Sequence, residues 1–266
     1  MPICSLPVHW TAVPASAKLS TVMGCVGRNG MSDIYVYGER RPLPEDPAFD
    51  SFLDPTQTAV VSIDMHEGHL SEDADCPCPA PRAREIVAPI DRFHDACRAH
   101  SIPIIHVRTV LRASGRDDIK GGVSAWRLVF PLYVGEIPGA DQHALQGSKW
   151  TNLRTRVEPD DEIVETKKRL SIFHPTDLDF LLRNMGVRAV IFNGGFTDCC
   201  VLNAAFDASN MDYRVVVAQD LVRGTNEEME DAALKMMSLH MALVMDSEDI
   251  LSAWDARGES SSEAAE

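Results

Sequence analysis

The stretch Gly194-Gly195-Phe196-Thr197-Asp198-Cys199-Cys200-Val201 follows the apolar run Arg188-Ala189-Val190-Ile191-Phe192-Asn193 and precedes Leu202-Asn203-Ala204-Ala205-Phe206-Asp207-Ala208-Ser209. The first run reads as a buried strand and the last as a helix. A cysteine therefore stands where a strand hands over to a helix N-terminus. Free N–H groups and the positive end of the helix dipole gather there. That setting favours a nucleophilic thiolate, and the same N–H groups can hold an oxyanion.

Two charged residues close other strand-like runs. Thr58-Ala59-Val60-Val61-Ser62-Ile63 ends in Asp64, and Glu162-Ile163-Val164-Glu165-Thr166 ends in Lys167. In an open parallel sheet the carboxyl ends of neighbouring strands face one crevice. Asp64, Lys167 and a cysteine are then expected to meet there. Lys⁺ favours the thiolate by charge, while Asp takes the thiol proton and returns it to a leaving amine.

Strand-like runs at 102–107, 188–193, 213–218 and 242–245 alternate with helical patterns at 83–100, 176–186 and 226–241. This alternation predicts a three-layer α/β/α domain over 58–256, doubly wound around a mainly parallel six-stranded sheet. Pro89 is a candidate kink in the first helix. Thr176 and Gly186 are suited to cap the second. Residues 109–160 show no clear period. A connection that long inside a domain usually serves as a lid or a subunit contact.

Residues 1–57 read as an N-terminal extension, partly disordered. Residues 1–30 lack Asp and Glu altogether, and Met31 is an alternative start. A disordered extension or a targeting peptide are the other readings of that segment. Residues 257–266, rich in Ser, Ala and Glu, read as a disordered tail.

A net charge of −15 disfavours nucleic acid and anionic membrane as partners. No apolar run approaches eighteen residues, so no membrane span is expected. Seven cysteines, an odd number in a chain this size, argue against a disulfide framework and for a cytoplasmic setting. Cys76 and Cys78 lack the second pair or the nearby His that a zinc site needs.

Three segments together resemble the isochorismatase-like cysteine hydrolases, a family that includes nicotinamidases, N-carbamoylsarcosine amidohydrolase, and ureidoacrylate and biuret hydrolases. They are Val61-Ser62-Ile63-Asp64-Met65, the run from Lys167 through Arg169, Ser171 and Phe173 to Thr176, and Gly194 to Val201. The resemblance spans roughly 58–253. It implies that Cys200, three residues after Thr197, is the nucleophile, and Cys199 is then a packing residue. It makes Asp64 the general base and acid and Lys167 the cation. It also implies a cis peptide at Gly195–Phe196, with the N–H groups of Phe196 and Cys200 forming the oxyanion hole. Adjacent Lys168 is a register alternative to Lys167.

His66 and His69 follow Asp64 closely and invite a metal reading. In metal-bearing members of the family the His pair follows the second strand. Here that region reads Val107-Arg108-Thr109-Val110-Leu111-Arg112. No metal or other cofactor is therefore expected, and activity is expected to survive chelation. His69 takes the place of an aromatic that lines the substrate pocket in many relatives. His69, Trp126, Phe173 and Thr197 are the candidate substrate-binding residues, and one of Arg108, Arg112 and Arg116 is a candidate for reading a carboxylate.

The resemblance implies a hydrolase of an amide, ureido or carbamoyl C–N bond in a small non-peptide molecule, working through a thioester as a homo-oligomer, dimer or tetramer. The alternatives are a vinyl ether hydrolase of the isochorismatase type, a non-catalytic binding member of the fold, and a redox protein using Cys199 and Cys200.

Overall fold

A computed structural model describes residues 32–263. In chain order the elements are β1 (Asp33–Val36), β2 (Glu39–Pro42), β3 (Thr58–Ile63), α1 (Glu67–Leu70), α2 (Val87–Ala99), β4 (Ile104–Thr109), α3 (Trp126–Val134), β5 (Glu162–Lys167), α4 (Leu178–Asn184), β6 (Ala189–Gly195), α5 (Leu202–Asn210), β7 (Arg214–Arg223), α6 (Glu227–His240), β8 (Ala242–Met245) and α7 (Ser247–Glu263). The strands form one sheet in the order β2-β1-β8-β7-β6-β3-β4-β5. Strands β3 to β8 are mutually parallel, and β1 runs antiparallel to both β8 and β2.

The sheet has eight strands rather than the six expected. The two extra strands come from the segment assigned to the N-terminal extension. Ser32 Oγ donates to the Asp249 carbonyl at 2.8 Å, and Arg40 pairs with Asp33 and Asp249. Residues 1–31, including the alternative start at Met31, lie outside the described residues. At the other end, α7 runs into the segment expected to be a disordered tail.

Alternation along the central strands builds two cores. Ala59, Val61 and Ile63 of β3 face one side with Leu178 and Leu182 of α4, Ala204 and Ala208 of α5, and Met237 of α6. Val60 faces the other side with Ile90, Phe93 and Cys97 of α2 and Ile250 and Trp254 of α7. All six residues of β3 and all seven of β6 are buried. This is why both read as continuous apolar runs. The expected three layers follow from helices covering both faces. Pro89 lies in the first turn of α2, where its missing N–H costs nothing.

From β3 the chain winds outward to β4 and β5, then returns to β6 on the opposite side. The switch point therefore lies between β3 and β6, and their carboxyl ends open the crevice. Close approach there is set by Gly194. Its φ is +107°, and a Cβ would lie 2.2 Å from the Ile63 carbonyl oxygen. Only glycine fits that position.

Candidate active site

Register alone brings the three strand ends together. Ile63 pairs with Val107 and with Gly194, and Thr109 at the end of β4 pairs with Lys167 at the end of β5. Asp64, the residue after β3, has φ +53°. That left-handed conformation is uncommon for a residue with a Cβ and concentrates at functional sites.

The carboxylate is held on both oxygens. Oδ1 accepts from the Thr109 N–H at 2.9 Å and from Thr109 Oγ1 at 3.0 Å. Oδ2 lies 2.7 Å from Lys167 Nζ. Lys167 Nζ also donates to Thr109 Oγ1 at 2.9 Å and to Cys200 Sγ at 3.4 Å. Asp64, Lys167 and Cys200 thus meet as expected, with the ammonium between carboxylate and sulfur. All three are buried.

Burial by itself would raise the Asp64 carboxyl, but the Lys167 ammonium overrides it and holds the group well below the usual carboxylate range. Burial works to lower Lys167, yet Asp64 and then Cys200 raise it on balance. The hydrogen bond that the Cys200 thiol donates to Cys199, together with burial, holds Cys200 well above its ordinary range, against the pull of Lys167. The resting site is therefore an Asp64⁻–Lys167⁺ ion pair beside a Cys200 thiol. The nearby cation does not outweigh burial, so a base is needed to release the thiolate.

Thr197–Val201 forms a single wide helical turn between β6 and α5. The Gly195–Phe196 peptide is cis, as the resemblance implied. The Cys199 and Val201 N–H groups donate to the Phe196 carbonyl. Phe196, Cys199 and Cys200 face a cavity of about 420 Å³, which Asp64 and Lys167 also line.

Of the candidate substrate-binding residues, His69 and Trp126 line this cavity. Phe173 and Thr197 do not. Phe173 is 5% exposed and stacks on Tyr213 with ring centroids 5.9 Å apart. A large apolar ring on the segment leaving β5 is drawn into the core that α4 and α5 cover. Thr197 is fully buried in the first position of the turn that carries Cys200. Arg108 and Arg112 are committed elsewhere, to the Thr151 carbonyl and Glu165 and to Asp117 respectively. Neither they nor Arg116 reach the cavity.

The cavity holds residues that sequence reasoning missed. Lys168 and Arg169 line it together with Lys167. Strand geometry ends at Lys167, so Lys168 need not point to the opposite face from its neighbour. Cys199 also lines it and is half-buried rather than packed away. Phe130 and His143 come from the 109–160 connection, which with α3 walls the site as a lid would. The missing period in that connection hid them. His66, His69 and His143 form a buried group whose ring nitrogens converge.

The isochorismatase domain model matches residues 58–249, and the chain belongs to the isochorismatase family. Its fold is the isochorismatase-like hydrolase fold. It is 24% identical to an N-carbamoylsarcosine amidase from Arthrobacter sp, over 62% of this chain and 58% of that protein. It is 28% identical to a ureidoacrylate amidohydrolase from Pantoea ananatis, over 74% of this chain and 80% of that protein. Among solved structures it resembles a cysteine hydrolase from Pseudomonas syringae at a TM-score of 0.65 and 21% identity, covering 76% of this chain and 94% of that one.

Proposed function

We propose that this chain is a cysteine-dependent hydrolase of a C–N bond in a small amide, ureido or carbamoyl compound. The observation that carries the reading is the placement of Lys167 Nζ at the cavity, ion-paired with Asp64 Oδ2 at 2.7 Å and donating a hydrogen bond to Cys200 Sγ. The family is hydrolytic, and two amidases are among its relatives.

Asp64 takes the Cys200 proton as the thiolate attacks the substrate carbonyl. The N–H groups of Phe196 and Cys200 receive the oxyanion. Asp64 then protonates the departing amine or ammonia, leaving a thioester. A water activated by Asp64 hydrolyses the thioester and frees Cys200. Lys167 holds the carboxylate in place and offsets negative charge on sulfur throughout. His69 and Trp126 shape the cavity wall against the substrate. No step needs a metal.

A cytoplasmic setting belongs to this reading, supported by five free cysteines among the described residues. Among those residues no helix is long and apolar enough to cross a membrane. A homo-oligomer also belongs to it, supported by the exposed Leu128, Val129, Leu132 and Tyr133 along α3. Light scattering of the purified chain tests that part.

The deciding experiment measures ammonia release over nicotinamide, biuret, ureidoacrylate, N-carbamoyl amino acids and simple amides. Turnover of one of them that disappears in Cys200→Ser is the expected result. Turnover that persists in Cys200→Ser, or its absence on every C–N substrate alongside vinyl ether cleavage, defeats the reading.

A further inference from the structure

The hydrolysis above makes no use of His66 or His143, although both are buried and His66 Nε2 lies 3.7 Å from its base. His66 and His69 sit at the start of α1, in the turn that leaves β3. His143 follows a short turn, Ala140–Gln142, in the 109–160 connection. Ring centroids are 4.5 Å apart for His66 and His69, 5.1 Å for His69 and His143, and 6.0 Å for His66 and His143. One ring nitrogen from each lies within 4.8 Å of the other two. Relative exposures are 0%, 6% and 6%.

The hydrogen bonds around the rings prepare lone pairs rather than donors. His66 Nδ1 lies 2.8 Å from the Trp150 carbonyl and His69 Nδ1 lies 2.8 Å from the Cys78 carbonyl. A carbonyl only accepts, so each Nδ1 carries its hydrogen and each Nε2 presents a lone pair. For His66 this carbonyl contact is shorter than the approach of the Gly68 N–H at 3.1 Å and sets the tautomer. His66 Nε2 is buried without a hydrogen-bond partner, and so are both ring nitrogens of His143. Orphaned polar atoms of that kind cost about 1–3 kcal/mol each and call for an explanation.

Charge agrees with this. Asp64 Oδ1 lies 3.7 Å from His66 Nε2, too far for a hydrogen bond, while Oδ2 faces Lys167. The carboxylate stands between the ammonium and the histidine cluster and supplies negative charge to it.

We propose that His66, His69 and His143 bind one divalent transition-metal ion of the zinc class on the wall of the cavity. Three imidazoles are a preferred set for such ions, and the far N–H that His66 and His69 each donate to a carbonyl is the usual outer support. Zinc–nitrogen bonds of about 2.0–2.1 Å put ligand nitrogens roughly 3.4 Å apart, so the cluster closes by little more than an ångström. His143 sits on the long connection, where that movement is easily absorbed. His69 and His143 line the cavity, so the remaining coordination positions open onto it. The expectation of no metal rested on residues after β4. These ligands come from the turn after β3 and from the connection. The site stands on ring geometry and does not depend on the hydrolase reading.

The test uses the full chain, stripped with a chelator and then dialysed against zinc or cobalt(II). About one equivalent per chain is expected in the wild type, with visible cobalt bands of a nitrogen-rich site. Cys200→Ala and the double variant Cys76→Ser/Cys78→Ser should bind equally, which excludes thiol sites. His143→Gln and His69→Gln should weaken binding by at least about tenfold. The metal should raise the Tm of the wild type and leave that of His143→Gln unchanged. Circular dichroism of the metal-free proteins checks that the variants fold. A wild type that binds no more metal than His143→Gln, or binding that vanishes with Cys76 and Cys78 or with Cys200, overturns the site. Because Cys200→Ala is expected to be hydrolytically dead, metal binding is read apart from turnover.

Discussion

At the scale of single residues, the buried Asp64–Lys167 pair is the feature most open to challenge. Desolvating two charges rarely repays itself in stability. The proposed hydrolysis gives the pair its reason for standing beside Cys200. Lys167→Ala leaves a carboxylate buried without its cation and should cost about 3–5 kcal/mol of stability as well as turnover. Asp64→Asn should lower turnover by about 10²–10⁴-fold, the usual range for acid–base catalysis. The double variant Asp64→Asn/Lys167→Met should recover stability relative to Lys167→Ala while remaining inactive. Urea unfolding and turnover on the same four proteins check this, and additive losses of turnover would mean that the pair does not act as a unit. Lys168→Ala should be mild, since its ammonium reaches only the Val110 carbonyl and Asp117. Cys200→Ala should abolish hydrolysis, whereas Cys199→Ala should keep most of it. The reverse outcome shifts the nucleophile by one residue. The meeting of Asp64, Lys167 and a cysteine was legible because the first two close strand-like runs and the third opens a helix after one, while the choice of Cys200 over Cys199 came from the resemblance. Phe173 and Thr197 were misplaced because a sequence pattern carries spacing but not the direction of a side chain. His143 was invisible because its partners lie more than seventy positions earlier in the chain.

At the scale of elements, strands buried on both faces were legible and the exposed hairpin was not. All four residues of β2, Glu39-Arg40-Arg41-Pro42, are exposed, so it has no apolar alternation to read. Its charges and its proline are the features by which an edge strand discourages further pairing. β1 covers the edge of β8, pairing Tyr35 with Val244. A chain starting at Met31 should keep its fold and activity. One starting at Leu43 removes β1 and β2, exposes β8 and should aggregate or melt earlier. Equal Tm for the two truncations would show that the hairpin contributes nothing. The junction of β3 and β6 admits a sharper test. Gly194→Ala places a methyl against the Ile63 carbonyl at a left-handed backbone position. Strain of about 1–3 kcal/mol comes before the clash is counted. Turnover should fall even where the protein still folds, because the strand ends carrying Asp64 and Cys200 must part. A Gly194→Ala enzyme with normal turnover would show that this close approach is not required.

At the scale of the whole molecule, the buried histidines couple the fold to pH. Burial lowers His69 and His94 to about 3 and lowers His143 and His106 as well, the last against the hydrogen bond it donates to Asp161. Each is neutral in the folded protein and binds a proton near its ordinary value of 6.5 once unfolded. The unfolded chain therefore holds more protons in this window, and stability falls as pH drops below about 6.5. Between about pH 6.5 and 5 a single such group contributes about 2 kcal/mol of that loss. Asp64 acts in the same direction but lower. Its folded value lies below the ordinary 3.8, so its contribution is lost only as pH falls below about 4. Urea unfolding of the chelated protein at about pH 7 and about pH 5 thus isolates the histidines from the Asp64–Lys167 ion pair. His94 is the clean probe, being buried against Asn193 and not among the residues that line the cavity. His94→Leu should flatten the pH dependence by about one histidine's share while leaving turnover untouched. A wild type equally stable at both pH values, or a His94→Leu variant with an unchanged slope, would show that these imidazoles are not held neutral by burial.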